Sequence, residues 1–117
     1  MAEPKSFLNL LPNDWAGMRF EPFREGVDIC NLWQGGPNVS LLRYAAGASV
    51  PRHRHLGLET ILVLSGSQSD ETGRFPAGSL IFNPAGTEHS VWSEEGCTVL
   101  INWEKPVQFL DEGIGEQ

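Results

Sequence analysis

Short apolar segments separated by turn residues dominate the chain between residues 38 and 103. Each segment is rich in leucine, aromatic or β-branched residues, and no apolar stripe with helical spacing runs between the 13 glycines and 8 prolines. Turn signals such as Ser65-Gly66 and Pro84-Ala85-Gly86 divide the segments. Short strands at such regular spacing are typical of an all-β barrel or sandwich. The predicted strands cover residues 38–46, 59–67, 78–84, 89–93 and 97–103.

The two ends of the chain are less regular. Residues 1–37 hold many aromatic side chains, and residues 26–34 (GVDICNLWQ) within them are predicted to form an edge strand. We expect the rest of this segment to wrap the barrel or to join a subunit contact. Residues 38–110 then form the barrel, and residues 111–117 (DEGIGEQ) form a polar tail that frays. A chain of 117 residues without an internal repeat is predicted to be a single domain.

Acidic residues outnumber basic ones by 15 to 8, which gives a formal net charge of −7. Such a surface repels phosphate backbones, so a nucleic-acid partner is not expected. The N-terminus lacks the apolar core of a signal peptide, and no window reaches the roughly 20 apolar residues that span a membrane. We therefore expect a cytoplasmic protein with no membrane partner. Cys30 and Cys97 are predicted to be buried, reduced thiols, with a disulfide or redox role as the alternative.

The three histidines of the chain are candidate metal ligands. His53 and His55 are two apart, so on a strand both imidazoles would lie on one face. Glu59 follows a short glycine-containing turn and could return beside them, while His89 follows the turn at Pro84 and Gly86. The alternative is that these side chains lie on a solvated face or in the core. If they point inside a barrel, a divalent cation removes the cost of burying them without partners.

The spacing of these residues resembles the two signature motifs of the cupin superfamily. The first motif pairs H-x-H with a preceding glycine, a following glutamate and a final glycine, and the chain matches it at Gly47, His53, His55, Glu59 and Gly66. The second motif is matched at Gly78, Pro84, Gly86 and His89, and it departs only at Ser93, where cupins carry asparagine. The resemblance implies a small jelly-roll β-barrel. It also implies one divalent metal ion held by His53, His55, Glu59 and His89.

Three further stretches resemble one cupin subgroup, the cupin domain of ChrR-type anti-sigma factors. They are residues 62–66 (LVLSG), 70–73 (DETG) and 93–97 (SEEGC). We interpret residues 70–73 as a hairpin turn. The first 40 residues lack the histidine-cysteine pattern of the zinc-binding helical domain of such factors, so the chain resembles the cupin half alone.

The predicted site supports two functions. The first is a metal-dependent enzyme on a small oxygenated molecule, a dioxygenase or an isomerase, in which metal-bound water or Glu59 would act as general base. The second is a ligand-sensing or redox-sensing regulatory module without catalysis, as the ChrR resemblance suggests. A barrel without chemistry is the third alternative. Nitrogen and oxygen ligands admit iron, manganese, nickel, zinc, cobalt or copper without choosing among them.

Several side chains are candidates to line a substrate pocket, with core or surface packing as the alternative for each: Arg43, Tyr44, Phe82, Trp92, Asn102 and Trp103. Arg52, Arg54 and Glu88 neighbour the histidines and are expected to face outward, either solvated or, for the arginines, paired across a subunit contact. The segment TILVL (60–64) is apolar on both strand faces, which predicts that a second subunit covers its outer side. We expect a homodimer that binds a small-molecule ligand or substrate.

Overall fold

The computed structural model describes residues 3–110, and the predicted tail at 111–117 lies outside the described residues. Apart from one short 3-10 helix, Asp14–Gly17, the regular structure is entirely β. Within residues 3–110 no helix has the length and apolar character needed to cross a membrane. The strands are β1 Glu21–Arg24, β2 Val27–Trp33, β3 Asn38–Tyr44, β4 Ser49–His55, β5 Glu59–Asp70, β6 Gly73–Pro76, β7 Leu80–Asn83, β8 Glu88–Trp92, β9 Cys97–Trp103 and β10 Val107–Phe109.

The strands form one antiparallel sheet that folds over on itself through β5. The first half of β5 pairs with β9 and β7. From β9 the sheet continues outward through β3 and β2 to β1. The second half of β5 pairs with β6 and β8, and β8 leads on to β4 and β10. The two halves face each other as a small jelly-roll barrel, which confirms the predicted all-β fold class.

β5 passes from one half of the sheet to the other at Gly66, the last glycine of the first motif. The ladder with β9 shifts register between Val63 and Ser65, and Gly66 follows in the left-handed region with φ of +68°. A Cβ at this position would lie 1.9 Å from the carbonyl oxygen of Gly96. Only glycine fits both the backbone angle and the close approach. The predicted strand 59–67 therefore extends to Asp70, because the chain continues in the second half of the sheet.

The inward faces of both halves build the main core. Its buried members come from most of the long strands and include Val27, Val63 and Val99, each no more than 1% exposed. Both cysteines are buried and free. Burial raises the pKa of Cys97 to about 11, so its thiol stays neutral at ordinary pH.

A second apolar cluster lies on the outer face of β2 and β3. Cys30, Leu32 and Leu41 are buried there. The N-terminal segment covers them with side chains that precede the first strand, including Trp15 and Phe20. This packing explains why the outer face of these strands can be apolar without being solvated.

Candidate metal centre

The three histidines converge inside the barrel from two neighbouring strands. A register shift in β4 between Val50 and His53 allows both residues to point inward although they are three apart. His55 follows two residues later on the same face. β8 runs antiparallel beside β4 and places His89 opposite His53. All three imidazoles are buried, and their ring centroids lie 4.6 to 5.1 Å apart.

Hydrogen bonds at Nδ1 fix the tautomer of each ring. His53 Nδ1 lies 2.8 Å from the carbonyl oxygen of Pro51, and His89 Nδ1 lies 3.1 Å from Asp70 Oδ2. His55 Nδ1 lies 3.0 Å from the carbonyl oxygen of Thr87 and 2.9 Å from its hydroxyl, which itself donates to Pro84. Each partner can only accept, so each Nδ1 carries the proton and each Nε2 keeps a lone pair.

The remaining ring nitrogens fit a metal ion. One ligand atom from each histidine lies within 4.8 Å of the other two. The Nε2 atoms of His55 and His89 are buried without a hydrogen-bond partner among the described residues. Unpaired buried polar atoms are uncommon in proteins, and convergent imidazole nitrogens are the ligands that divalent transition metals prefer. The donor set therefore suits one such ion.

Glu59 begins β5 beside this cluster and is nearly fully buried. Asn83 donates to its Oε1 over 3.0 Å, and the Trp103 indole donates to its Oε2 over 2.8 Å. Oε1 also lies 3.3 Å from the lone-pair nitrogen of His55. Two acceptors this close repel each other, and a shared cation, either a proton or a metal ion, removes the repulsion.

The environment of the site disfavours protonation of His53 and favours ionisation of Glu59. Burial lowers the pKa of His53 to about 4, although its hydrogen bond to Pro51 acts in the other direction. For Glu59, burial raises the pKa, but the three neighbouring imidazoles, His55 foremost, outweigh it and the net shift is downward. Neutral imidazole and ionised carboxylate are the forms that bind metals.

Asp70 takes part in the site, which the sequence pattern did not indicate. The predicted hairpin at residues 70–73 is present, since Asp70 pairs with Gly73 and its Oδ1 accepts hydrogen bonds from the backbone and hydroxyl of Thr72. Its Oδ2 faces the other way and contacts His89. The sequence pattern ended β5 at residue 67 and read residues 70–73 only as a turn, so the contact with His89 on β8 was not predictable from it.

A cavity of about 380 Å³ adjoins the histidine cluster. His53 and Glu59 lie in its wall, and most of the remaining lining is apolar, including Leu42, Val91 and Phe109. The volume falls at the lower end of the range typical of small-molecule sites, roughly 300–1,000 Å³. The barrel interior therefore offers space for a small ligand next to the candidate metal ligands.

Of the candidate pocket residues, the structure brings two to the cavity. Tyr44 and Trp103 line it, whereas Arg43, Trp92 and Asn102 do not. Arg43 pairs with Asp28 outside the barrel, and Phe82 is 57% exposed on β7. Neighbouring side chains on a strand point to opposite faces, so a shift of one residue decides whether a side chain lines the cavity or lies on the surface.

The charged neighbours of the histidines face outward as expected. Arg54 donates from Nε and Nη2 to the same oxygen, Oε2 of Glu88, at 3.0 and 2.7 Å, across the ladder between β4 and β8. Arg52 contacts Glu88 at 3.5 Å and Glu71 at 3.8 Å. These ion pairs lie within one chain, so the arginines need no partner subunit to be neutralised.

A small jelly-roll barrel with histidines converging on its interior is the architecture of cupins. Residues 13–106 match the ChrR cupin-like domain, and the chain belongs to that family. The curated anti-sigma-E factor ChrR of Cereibacter sphaeroides is 38% identical over 104 residues, which cover 82% of this chain and 49% of that protein. The chain thus spans about half the length of this relative.

Solved structures agree with the fold. The ChrR chain in the crystal structure of Rhodobacter sphaeroides SigE in complex with the anti-sigma ChrR superposes with a TM-score of 0.67 and 36% identity, covering 74% of this chain and 48% of that one. An acetylacetone dioxygenase from Acinetobacter johnsonii superposes with a TM-score of 0.81 over 100% of this chain and 87% of that one, at 17% identity. At that identity the likeness shows the fold alone.

Proposed function

We propose that this cupin binds one divalent transition-metal ion and acts as a metal-dependent, dioxygenase-like enzyme on a small oxygenated molecule. The observation that carries the proposal is the cavity, which reaches the histidine cluster at His53 and Glu59. An enzyme needs a chamber of ligand size beside its metal ion to hold the substrate, and this cavity supplies one.

Each side chain has a role in this proposal. His53, His55 and His89 would hold the ion through Nε2, and Glu59 would be the fourth ligand. Asn83 and Trp103 hold the Glu59 carboxylate in place by donating to both of its oxygens. Glu59 is also the candidate general base, because no other carboxylate of the cavity wall lies among the histidines. When bound, the ion would supply Lewis-acid polarisation of an oxygen or activation of water or dioxygen.

The test begins with metal content. Protein purified without a histidine tag is stripped, loaded separately with iron, manganese, nickel, zinc, cobalt or copper, and analysed for ions per chain. We expect one ion per chain for the wild type and a strong loss for His89→Gln. The matched control is Asp28→Asn, a surface change outside the barrel. A wild type that retains no ion from this series contradicts the proposal.

Turnover is then measured with each loaded form. Oxygen uptake and substrate loss are followed with a panel of diketones, hydroxy ketones and small acids under air. We expect at least one metal to support consumption that His89→Gln abolishes. A panel that no loaded form consumes, at full metal occupancy, contradicts the enzymatic assignment.

The second candidate function is a sensing module, and the similarity to anti-sigma-E factor ChrR favours it. In this case the metal and cavity would register a ligand or an oxidant and alter binding to a protein partner. The test is co-purification from native cells of a sigma factor identified by mass spectrometry, with metal-loaded wild type and His89→Gln compared. Sigma-factor binding that depends on the metal, without turnover, would support this function over the enzyme.

A further inference from the structure

The lining of the cavity beside the candidate metal site contains two carboxylates and no arginine or lysine. All eight arginines and lysines of the chain lie within the described residues 3–110, and none of them lines the cavity. The ionisable acids of the wall are Glu59, at the histidine cluster, and Glu21, on the exposed first position of β1. Most of the other wall residues are apolar, and the neutral polar ones are Asn31, Gln34, Asn38 and Tyr44.

The cationic side chains are engaged elsewhere. Arg43, Arg52, Arg54 and Arg74 form ion pairs outside the barrel. Arg24 stacks on the ring of Phe109 with its guanidinium carbon 4.0 Å from the centroid, and it lines a separate depression. Phe109 forms part of the cavity wall, whereas Arg24 does not.

This arrangement restricts the chemistry of a ligand. A carboxylate, phosphate or sulfonate distant from the metal would lose much of its hydration in this chamber without gaining a cationic partner, which weakens its binding. A negative charge that extends toward the mouth would instead meet Glu21. The only cation available to an anionic group would be the metal ion itself.

We infer that the cavity selects small molecules that are uncharged and apolar except for the oxygens that bind the metal, and that Glu21 is a specificity-determining residue that rejects ligands with a second, distal anion. This inference rests on the proposed metal site. It places sugar phosphates and dicarboxylates outside the ligand class, since each carries an anionic group beyond a chelating pair of oxygens.

The test compares two chelators that differ only in a distal charge. The probes are 4,6-dioxoheptanoate and its methyl ester, which share one diketone and differ in the ionised carboxylate. Binding to cobalt-loaded protein is followed by calorimetry and by the visible spectrum of the cobalt ion. We expect the neutral ester to bind at least roughly 30-fold more tightly than the carboxylate.

Substitutions that change the charge at residue 21 test whether Glu21 causes the weaker binding of the carboxylate probe. Glu21→Gln and Glu21→Lys should strengthen binding of the carboxylate probe progressively, by roughly threefold to tenfold for each unit of charge, and leave the ester unchanged within twofold. The control is Glu25→Lys, which makes the same change in net charge at an exposed residue lining the separate depression. If Glu21→Lys fails to fold, Glu21→Gln decides alone.

Each outcome has one meaning. Full cobalt binding with equal affinity for both probes, or with no binding of either, overturns the inference and leaves the metal site standing. Equal responses of Glu21→Lys and Glu25→Lys overturn the role of Glu21. Failure to bind cobalt or any other ion of the series overturns the proposed function itself, and the inference with it.

Discussion

At the scale of single residues, Asp70 links a turn to the candidate metal centre. One carboxylate oxygen accepts from Thr72 and completes the hairpin, while the other accepts from His89 Nδ1. The second contact keeps the proton of His89 on Nδ1 and directs Nε2 toward the cluster. Carboxylate-to-histidine contacts of this kind orient metal ligands and raise their basicity.

Replacing Asp70 by asparagine should weaken metal binding. The amide has one accepting oxygen, so it cannot accept from both Thr72 and His89. Whichever side receives the amide nitrogen loses its hydrogen bond, and if that side is His89 the proton moves to Nε2 and blocks metal binding. We expect the metal dissociation constant of Asp70→Asn to rise roughly 10-fold to 100-fold. Competition with a chromophoric chelator measures it.

Two control variants separate this effect from damage to the turn. Thr72→Ala removes the hydroxyl contact to Asp70 without touching His89, and it should bind metal within about twofold of the wild type. Asp28→Asn makes the same chemical change in an exposed ion pair. If Asp70→Asn binds metal as tightly as Asp28→Asn does, Asp70 has no orienting role.

At the scale of the elements, β5 holds the two halves of the barrel together. Its first residue, Glu59, lies in one half, and its last, Asp70, contacts His89 in the other. The strand can belong to both halves of the barrel because it passes from one half of the sheet to the other at Gly66. Both ends of a single strand thus contribute polar groups to the histidine cluster.

Gly66 and Gly47 are both motif glycines with positive φ, and alanine should affect them differently. At Gly47, with φ of +83°, a Cβ meets nothing within 4 Å, so alanine should cost only the left-handed strain of about 1–2 kcal/mol. At Gly66 the added clash with the Gly96 carbonyl should raise the loss to more than about 4 kcal/mol.

Urea unfolding measures the free energy of unfolding for both alanine variants. The pair controls for the shared change in backbone entropy, since each replaces glycine by alanine at a positive φ. Equal losses at the two positions would mean that the close approach between Gly66 and Gly96 is relaxed at little cost. A Gly66→Ala protein that does not fold, beside a folded Gly47→Ala, agrees with the expectation.

At the scale of the whole molecule, metal binding should stabilise the fold. The candidate ligands come from β4, β5 and β8, which unfolding separates, so the unfolded chain should bind the ion weakly. A free metal concentration 100 times the dissociation constant should add about 2.7 kcal/mol to the free energy of unfolding. Thermal melts with metal and with chelator measure the difference, and His89→Gln should lose it. Identical melting temperatures under both conditions would contradict the proposed site.

The homodimer expected from the sequence remains a prediction, and β7 supplies a surface with which to test it. Leu80 and Phe82 are each 57% exposed and lie two apart on this strand, which among the described residues pairs with β5 alone. Light scattering at micromolar concentration should give twice the chain mass of 12.9 kDa. Leu80→Glu with Phe82→Glu should give monomers, whereas Leu8→Glu, at another exposed leucine, should not. A wild-type mass equal to that of one chain would contradict the predicted homodimer.

Local patterns were enough to predict the fold class and the histidine cluster. Alternation along a strand fixes that His53 and His55 share a face, and the glycine and proline signals fix where strands end. The motif spacing then relates His89 to them through the cupin resemblance. The strand assignments and the shared face of His53 and His55 depend on residues close together in the sequence, where backbone geometry leaves few alternatives, whereas the place of His89 rested on the resemblance.

Only the tertiary structure decided which side chains meet across strands. Asp70 contacts His89, Trp103 and Asn83 hold Glu59, and Tyr44 rather than Arg43 faces the cavity. Each contact depends on the register between strands distant in sequence, and a shift of one residue would reverse it. The order of residues along the chain, read as strand patterns and motif spacing, predicted a β-barrel with clustered imidazoles. Strand pairing determined the chamber they face, because the lining of a cavity is a property of packed neighbours.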